Sequence, residues 1–235
     1  MRLDLHVDYT ERALRELGVK ASAKVQRVLH GLYVADEHET TEFFKGAPLF
    51  DSPLDLVFWE SHYGRLTSIH AMAHQNRLPT SETLAEIQAW NEFYQALILG
   101  TLSVPARTRM VDLPCRVATI FQGMHFTLKA FFDEGKADHI RDLALGTLLH
   151  LLQDTYTRSH CVRDRTGHIK RFLCYRDQGI IGHLSNDDVP ALHRDRMMEA
   201  TRGCLQALLL DGRPFCFDPY LVLSQKTQTS GAGGF

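Results

Sequence analysis

The chain has 235 residues, 44% of them hydrophobic and 23% charged, with 26 basic against 28 acidic side chains and a formal net charge of −2. That is enough apolar material for one substantial core, and the balance leaves no strong field of either sign to draw in nucleic acid or a membrane surface. Cys115, Cys161, Cys174, Cys204 and Cys216 are odd in number, widely spread and without a Cys-x-x-Cys pair, so they point to free thiols in a reducing cytoplasm rather than to disulfides or thiolate-bound zinc.

The first residues alternate charged and apolar without a signal-peptide core, and no run reaches the roughly 20 apolar residues of a membrane helix. Residues 10–34 have helical spacing, with Ala13, Leu14 and Leu17, then Val25, Val28, Leu29 and Leu32, on apolar stripes. They read as two short helices joined near Gly18, with Ser22 as a cap. Residues 36–53, rich in charge, Gly and Pro, read as loop. Residues 54–73 read as a helix running through His70. Pro79-Thr80-Ser81-Glu82 marks a helix start, and that helix runs to about Leu99 and stops at Gly100. Pro105 and Pro114 bracket a connector, residues 115–132 read as a further helix, and residues 138–156 form the next. Residues 162–186 are polar and irregular, and residues 189–210 make a last amphipathic helix beginning at Asp187 or Asp188. Strand patterns are scarce, with residues 215–223 a weak candidate. The expectation is an all-α protein: a single multi-helix domain over residues 1–226 with long connecting loops, and a Gly/Ser-rich tail at 227–235 that lacks the composition to order itself.

The chemistry concentrates in Leu148-Leu149-His150-Leu151-Leu152-Gln153-Asp154, followed six residues later by His160. An imidazole and a carboxylate four apart leave the same face of a helix, here amid apolar neighbours. A buried Asp needs a partner charge or a metal. The competing reading is a buried His–Asp hydrogen bond with an unrelated His160. Three further groups bear on it. His183 and Asp187 are again four apart, although Asn186-Asp187-Asp188 is also an ordinary helix start. His70 and His74 lie in an apolar segment. His6 and Asp8 stand near the beginning, and Asp36, Glu37 and His38 follow the first helices; charged residues in loops are more often simply solvated.

Taken in order, these groups resemble the zinc-dependent phospholipase C family and the fungal single-strand-specific zinc nucleases that share its fold. The central His150-x3-Asp154-x5-His160 matches the family spacing. His183-x3-Asp187 fits a ligand pair, with Asp where the phospholipases have Glu. The opening through Tyr33-Val34-Ala35-Asp36 and the later Ile69-His70-Ala71-Met72 look like bacterial relatives of unassigned activity. The resemblance spans roughly residues 6 to 190, and it implies a helical domain with two or three zinc ions in one cleft. By this analogy Asp36, His70, His150 and Asp154 hold one ion; His160, His183 and Asp187 hold a second; and Asp154 bridges to a third whose other ligand is His6. Asp51 and His62 are an alternative to Asp36 and His70. The chain departs from the pattern in lacking the N-terminal Trp ligand of the secreted phospholipases.

The function so implied is hydrolysis of a phosphoester, most readily a phosphodiester in a lipid, nucleotide or nucleic acid. Two zincs about 3.5–4 Å apart would activate water and bind the phosphoryl oxygens. Asp8 or Glu37 is a candidate general base, and Arg158 a candidate phosphate contact. Trp59, Tyr63 and Tyr156 are candidate base-stacking aromatics. A helical zinc protein that keeps its metal only for stability, and a metal-free adaptor, are the other readings.

Overall fold

The computed structural model describes residues 2–34, 64–74, 78–175, 178 and 186–224, and most of these are helical. Helix α1 (Leu3–Glu16) buries His6, Thr10, Ala13 and Leu14, one face at helical spacing. It turns at Gly18, whose φ of 70° suits glycine. Helix α2 (Ala23–Gly31) is capped by Ser22, whose hydroxyl accepts from the Val25 amide at 3.2 Å. Helix α3 (Thr80–Ile98) starts behind Pro79 and ends before Gly100, at φ 72°. A five-residue helix α4 (Leu128–Phe132) follows, and then α5 (Ala137–Asp154). An antiparallel hairpin, β1 (Cys161–Arg163) with β2 (Ile169–Phe172), is the only sheet among the described residues. Helix α6 (Ala191–Leu205) continues as a π-helical turn over Gln206–Leu210.

Helix α5 is the axis of the core. From residue 140 to its end only Arg141 stays outside the buried set, as expected of a helix surrounded by others. It packs against α2, α3 and α6, while α1 lies on α6. The α2–α5 crossing is made by two glycines. A Cβ on Gly31 would run into the carbonyl of Leu143, and one on Gly146 into the carbonyl of Val28, both well inside the 3.0 Å that real Cβ atoms keep. Thr147 seals the crossing by donating its hydroxyl to the Gly31 and Leu143 carbonyls, each at 3.0 Å. On the far side of α3 an aromatic cluster forms around Trp90, stacked on Phe131 at 5.7 Å and edge-on to Phe121 at 5.6 Å.

Several sequence expectations are corrected. Helix α1 begins at Leu3, so His6 lies on a helix rather than ahead of it. Within the stretch expected as a helix over 54–73, the described residues 64–73 form a turn and one 3-10 helix, Thr67–His70. Ala71 ends it in the left-handed region at φ 53°, with its amide on the Ser68 carbonyl and that of Met72 on the Thr67 carbonyl. This is a helix-terminating pattern that usually employs glycine. Everything from Leu66 to Ala73 is buried, and a segment buried on all sides shows no period that separates helix from turn.

Residues 115–132 do not make one helix either. After a 3-10 turn at Arg116–Thr119 the chain turns at Gly123 and runs back beside residues 108–110, with the Met110 amide on the Phe126 carbonyl at 2.8 Å. The polar stretch after 162 holds the β-hairpin. Asp164 closes its turn by accepting from the Thr166 and His168 amides. Residues 215–223 carry a 3-10 turn, Asp218–Tyr220, and a single bridge from Leu223 to Ile169 instead of a strand. No described helix is long and apolar enough to cross a membrane.

Candidate metal centre

The candidate site sits at the C-terminal end of α5. His150 and Asp154, one turn apart, project to the same side, and three other segments deliver imidazoles to them. Helix α1 brings His6, the 3-10 turn Thr67–His70 brings His70, and the turn leading into β1 brings His160. His6, His70, His150, Asp154 and His160 are all 2% exposed or less. The His160 turn follows directly on α5, whereas His6 and His70 come from segments distant in sequence, so their meeting is a product of the fold.

Asp154 is the hub. Its Oδ1 lies 3.2 Å from His6 Nε2, and its Oδ2 lies 2.9 Å from His150 Nε2, 3.2 Å from His70 Nδ1 and 3.2 Å from His160 Nδ1. His70 Nδ1 and His150 Nε2 are 3.0 Å apart. These last two nitrogens and Oδ2 therefore form a triangle with edges of 2.9, 3.0 and 3.2 Å. Ligand atoms about 2.0–2.1 Å from a tetrahedral zinc stand about 3.3 Å from one another, which is close to that triangle. The His6 and His150 rings stack at 4.0 Å, and His6, His150 and Asp154 form a buried group able to hold a metal ion.

Proton positions sharpen the picture. His150 Nδ1 lies 2.8 Å from the Leu32 carbonyl, which only accepts, so the ring carries its proton there. His6 Nδ1 is likewise 2.8 Å from the amide oxygen of Gln153. Both Nε2 atoms therefore carry lone pairs; that of His6 faces Asp154 Oδ1, and that of His150 lies between Asp154 Oδ2 and His70 Nδ1. Burial, helped by the neighbouring His150, pushes His6 down to about 4 against the pull of Asp154, so it is uncharged at neutral pH. Burial alone would raise Asp154, but positive charge nearby, that of His160 foremost, holds the carboxyl well below its usual range. An ionised carboxylate facing imidazole lone pairs is the environment of a cation. An imidazole whose far nitrogen donates to a carbonyl is the usual posture of a metal ligand.

The set extends through His160 to Asp187. His160 Nε2 is 3.6 Å from Asp187 Oδ1, which also accepts the Ser159 hydroxyl at 2.7 Å. Asp187, expected either as a ligand or as the start of the last helix, is buried at 6% and lies ahead of α6, whose cap position is Pro190. Of the expected ligands, the structure brings together His6, His70, His150, Asp154, His160 and Asp187. His160 meets Asp154 as well as Asp187, so the partition into separate ions drawn from the resemblance is not visible as separate clusters. Asp36, His183, Glu37, His38, Asp51, His62, Trp59 and Tyr63 lie outside the described residues.

Asp8 occupies the exposed face of α1, about 200° round the helix from His6, and so does not face the cluster. Arg158 is exposed, with Nε 3.7 Å from Asp188 Oδ1. His74 does not share a helix face with His70, because Ala71 breaks the turn between them. Tyr156 is 1% exposed and lies under the Arg163 guanidinium at 4.1 Å, a core position rather than a stacking platform.

Three contributors escaped the sequence reading: Gln153, the Leu32 carbonyl and Thr10. Gln153 had a signal, as a polar residue inside an apolar run on a buried helix. Thr10 had a weaker one, four residues after His6 on the same face. The Leu32 carbonyl had none. Comparison with known proteins finds no matching family model, no similar curated protein and no similar solved structure.

Proposed function

We propose that this protein is a zinc-dependent hydrolase of phosphoesters, most readily phosphodiesters of a lipid, nucleotide or nucleic acid. The observation that carries the reading is the meeting of His70, His150 and Asp154 at edges of 2.9–3.2 Å, with His6 on the other carboxylate oxygen. Imidazole nitrogen and carboxylate oxygen are the donors of hydrolytic zinc sites, and no cysteine belongs to the set. Zinc held there would supply the Lewis acidity that activates water and polarises a phosphoryl oxygen.

The chain's own residues do the rest. His150 and His6 are fixed with lone pairs inward by Leu32 and Gln153. Asp154 keeps its charge in a buried position. His160 and Asp187 extend the donor set toward a second ion. Arg158, exposed on the turn that delivers His160, offers a guanidinium with the planar geometry of phosphate recognition.

The near-complete burial of the donor atoms supports a second reading, a helical protein that holds one metal for stability. Metal analysis of the purified protein combined with a screen of phosphodiester substrates, wild type against Asp154→Ala, decides between them. Hydrolytic turnover that disappears with zinc in the variant supports the hydrolase. Bound zinc without turnover supports the structural site, and zinc fully retained in Asp154→Ala contradicts the role given to that carboxylate.

A further inference from the structure

Gln153 immediately precedes Asp154 on α5 and is fully buried. Its amide is used at both ends. Oε1 lies 2.8 Å from His6 Nδ1, while Nε2 donates to Thr10 Oγ1 at 3.0 Å and to Thr201 Oγ1 at 3.5 Å. His6, Thr10 and Thr201 are also fully buried, so one side chain of α5 ties α1 to α6 through polar contacts alone.

A neutral imidazole has one ring proton and two places to put it. An amide oxygen facing Nδ1 demands the proton there. That leaves a lone pair on Nε2, an atom that makes no hydrogen bond although Asp154 Oδ1 is 3.2 Å away. Turned over, the amide would present its NH2 to Nδ1. The ring proton would then move to Nε2 and be donated to Asp154, giving a closed His–Asp hydrogen bond where a cation would sit. His150, stacked on His6, has its proton placed by the main-chain carbonyl of Leu32, which no side-chain change removes. His6 depends on a side chain.

We infer that Gln153, held by Thr10 and Thr201, is the positioning residue that makes His6 a metal ligand rather than a hydrogen-bond donor to Asp154. This rests on the reading of the cluster as a metal centre. Outer partners of this kind change metal affinity by about 10–100-fold when removed. Gln153→Leu removes the acceptor. Thr10→Val exchanges a hydroxyl for a methyl of the same shape and releases one side of the amide. Gln153→Glu keeps an oxygen for the Nδ1 proton.

The test uses the full chain with histidine labelled with nitrogen-15. Zinc affinity is measured by competition with a chelator, and two-bond proton–nitrogen spectra of the metal-free protein report which nitrogen of His6 carries the proton. The expected results are Nδ1 protonation in wild type and Gln153→Glu, and Nε2 protonation in Gln153→Leu. Zinc should weaken about 10–100-fold in Gln153→Leu and about 10-fold in Thr10→Val, and stay within about threefold in Gln153→Glu. Should Gln153→Leu fail to fold, Thr10→Val carries the test. Wild type that takes up no zinc overturns the metal reading itself. Wild type that binds zinc, with affinity and tautomer unchanged in Gln153→Leu or Thr10→Val, overturns this inference alone.

Discussion

Replacing Gly146 by alanine tests whether the close α2–α5 crossing is what aims His150. The new methyl would meet the Val28 carbonyl, a backbone atom that cannot swing aside. The helices must part by about 1 Å in an interior packed as densely as a crystal. Such overpacking costs about 1–3 kcal/mol. The parting also stretches the bonds from Thr147 to the Gly31 carbonyl at 3.0 Å and from His150 to the Leu32 carbonyl at 2.8 Å. Each is worth about 1 kcal/mol. Alanine's better helix propensity returns about 1 kcal/mol. The net loss is therefore about 2–4 kcal/mol, or about 5–15 °C in Tm for a chain of this size.

Gly18→Ala is the control. Gly18, unlike the helical Gly146, has a positive φ of 70°, and a Cβ there would meet nothing within 4 Å, so only the backbone preference of about 1 kcal/mol is at stake. Urea unfolding of both variants gives the comparison, and zinc affinity in Gly146→Ala should fall about tenfold as His150 loses its acceptor. A Gly146→Ala protein no less stable than Gly18→Ala, with zinc affinity intact, would show that the close crossing does not aim His150.

Other parts of the structure make independent predictions. Arg163 donates to the Thr155, Gly167 and Tyr220 carbonyls at 2.6–2.9 Å while covering Tyr156; Arg163→Lys, lacking the planar fork, should lose about 2–3 kcal/mol in urea unfolding. Gln95 clamps the Phe215 main chain from both sides, accepting from its amide at 2.8 Å and donating to its carbonyl at 2.9 Å. Gln95→Leu should therefore cost about 2–3 kcal/mol and expose the 211–224 segment to protease, and an unchanged cleavage pattern would count against the clamp. Glu134 caps the approach to α5 through the Gly135 and Lys136 amides, and those bonds, with His139 beside them, pull its carboxyl down to about 2. Since the folded value lies below the unfolded one, its contribution is complete above about pH 4.5 and fades as pH falls toward 2. The group is largely solvated, so Glu134→Gln should cost only about 0.5–1 kcal/mol at pH 7, with the difference from wild type vanishing by pH 2.

What the chain discloses before it is folded follows from how local each signal is. The His150–Asp154 pair, α5 around it, the Pro79 start of α3 and the Ser22 cap are written within a few neighbouring residues, and all were legible. The meeting of His6, His70 and His160 on Asp154 needs contacts across 6 to 148 positions of sequence, and only the analogy with known zinc enzymes foreshadowed it. The segment 66–73 that carries His70 is buried on every side and carries no period, so its sequence does not separate helix from turn. The false helix over 115–132 arose the same way, since apolar residues that pair with a distant strand-like segment at 108–110 look helical when read alone. Gln153 carries little signal of its own, because a single amide in an apolar run gains meaning only from its three partners in the fold.

The proposed centre uses imidazoles and one carboxylate, not thiols, to hold a metal at the end of α5. Zinc K-edge absorption of the full chain loaded with one equivalent of zinc tests it most directly, because five free cysteines offer the competing ligands. Nitrogen and oxygen scatterers are expected at about 2.0–2.1 Å, with the outer-shell pattern of two or more imidazoles that disappears in His150→Ala. A sulfur shell near 2.3 Å, or zinc surrounded by water alone, would contradict it.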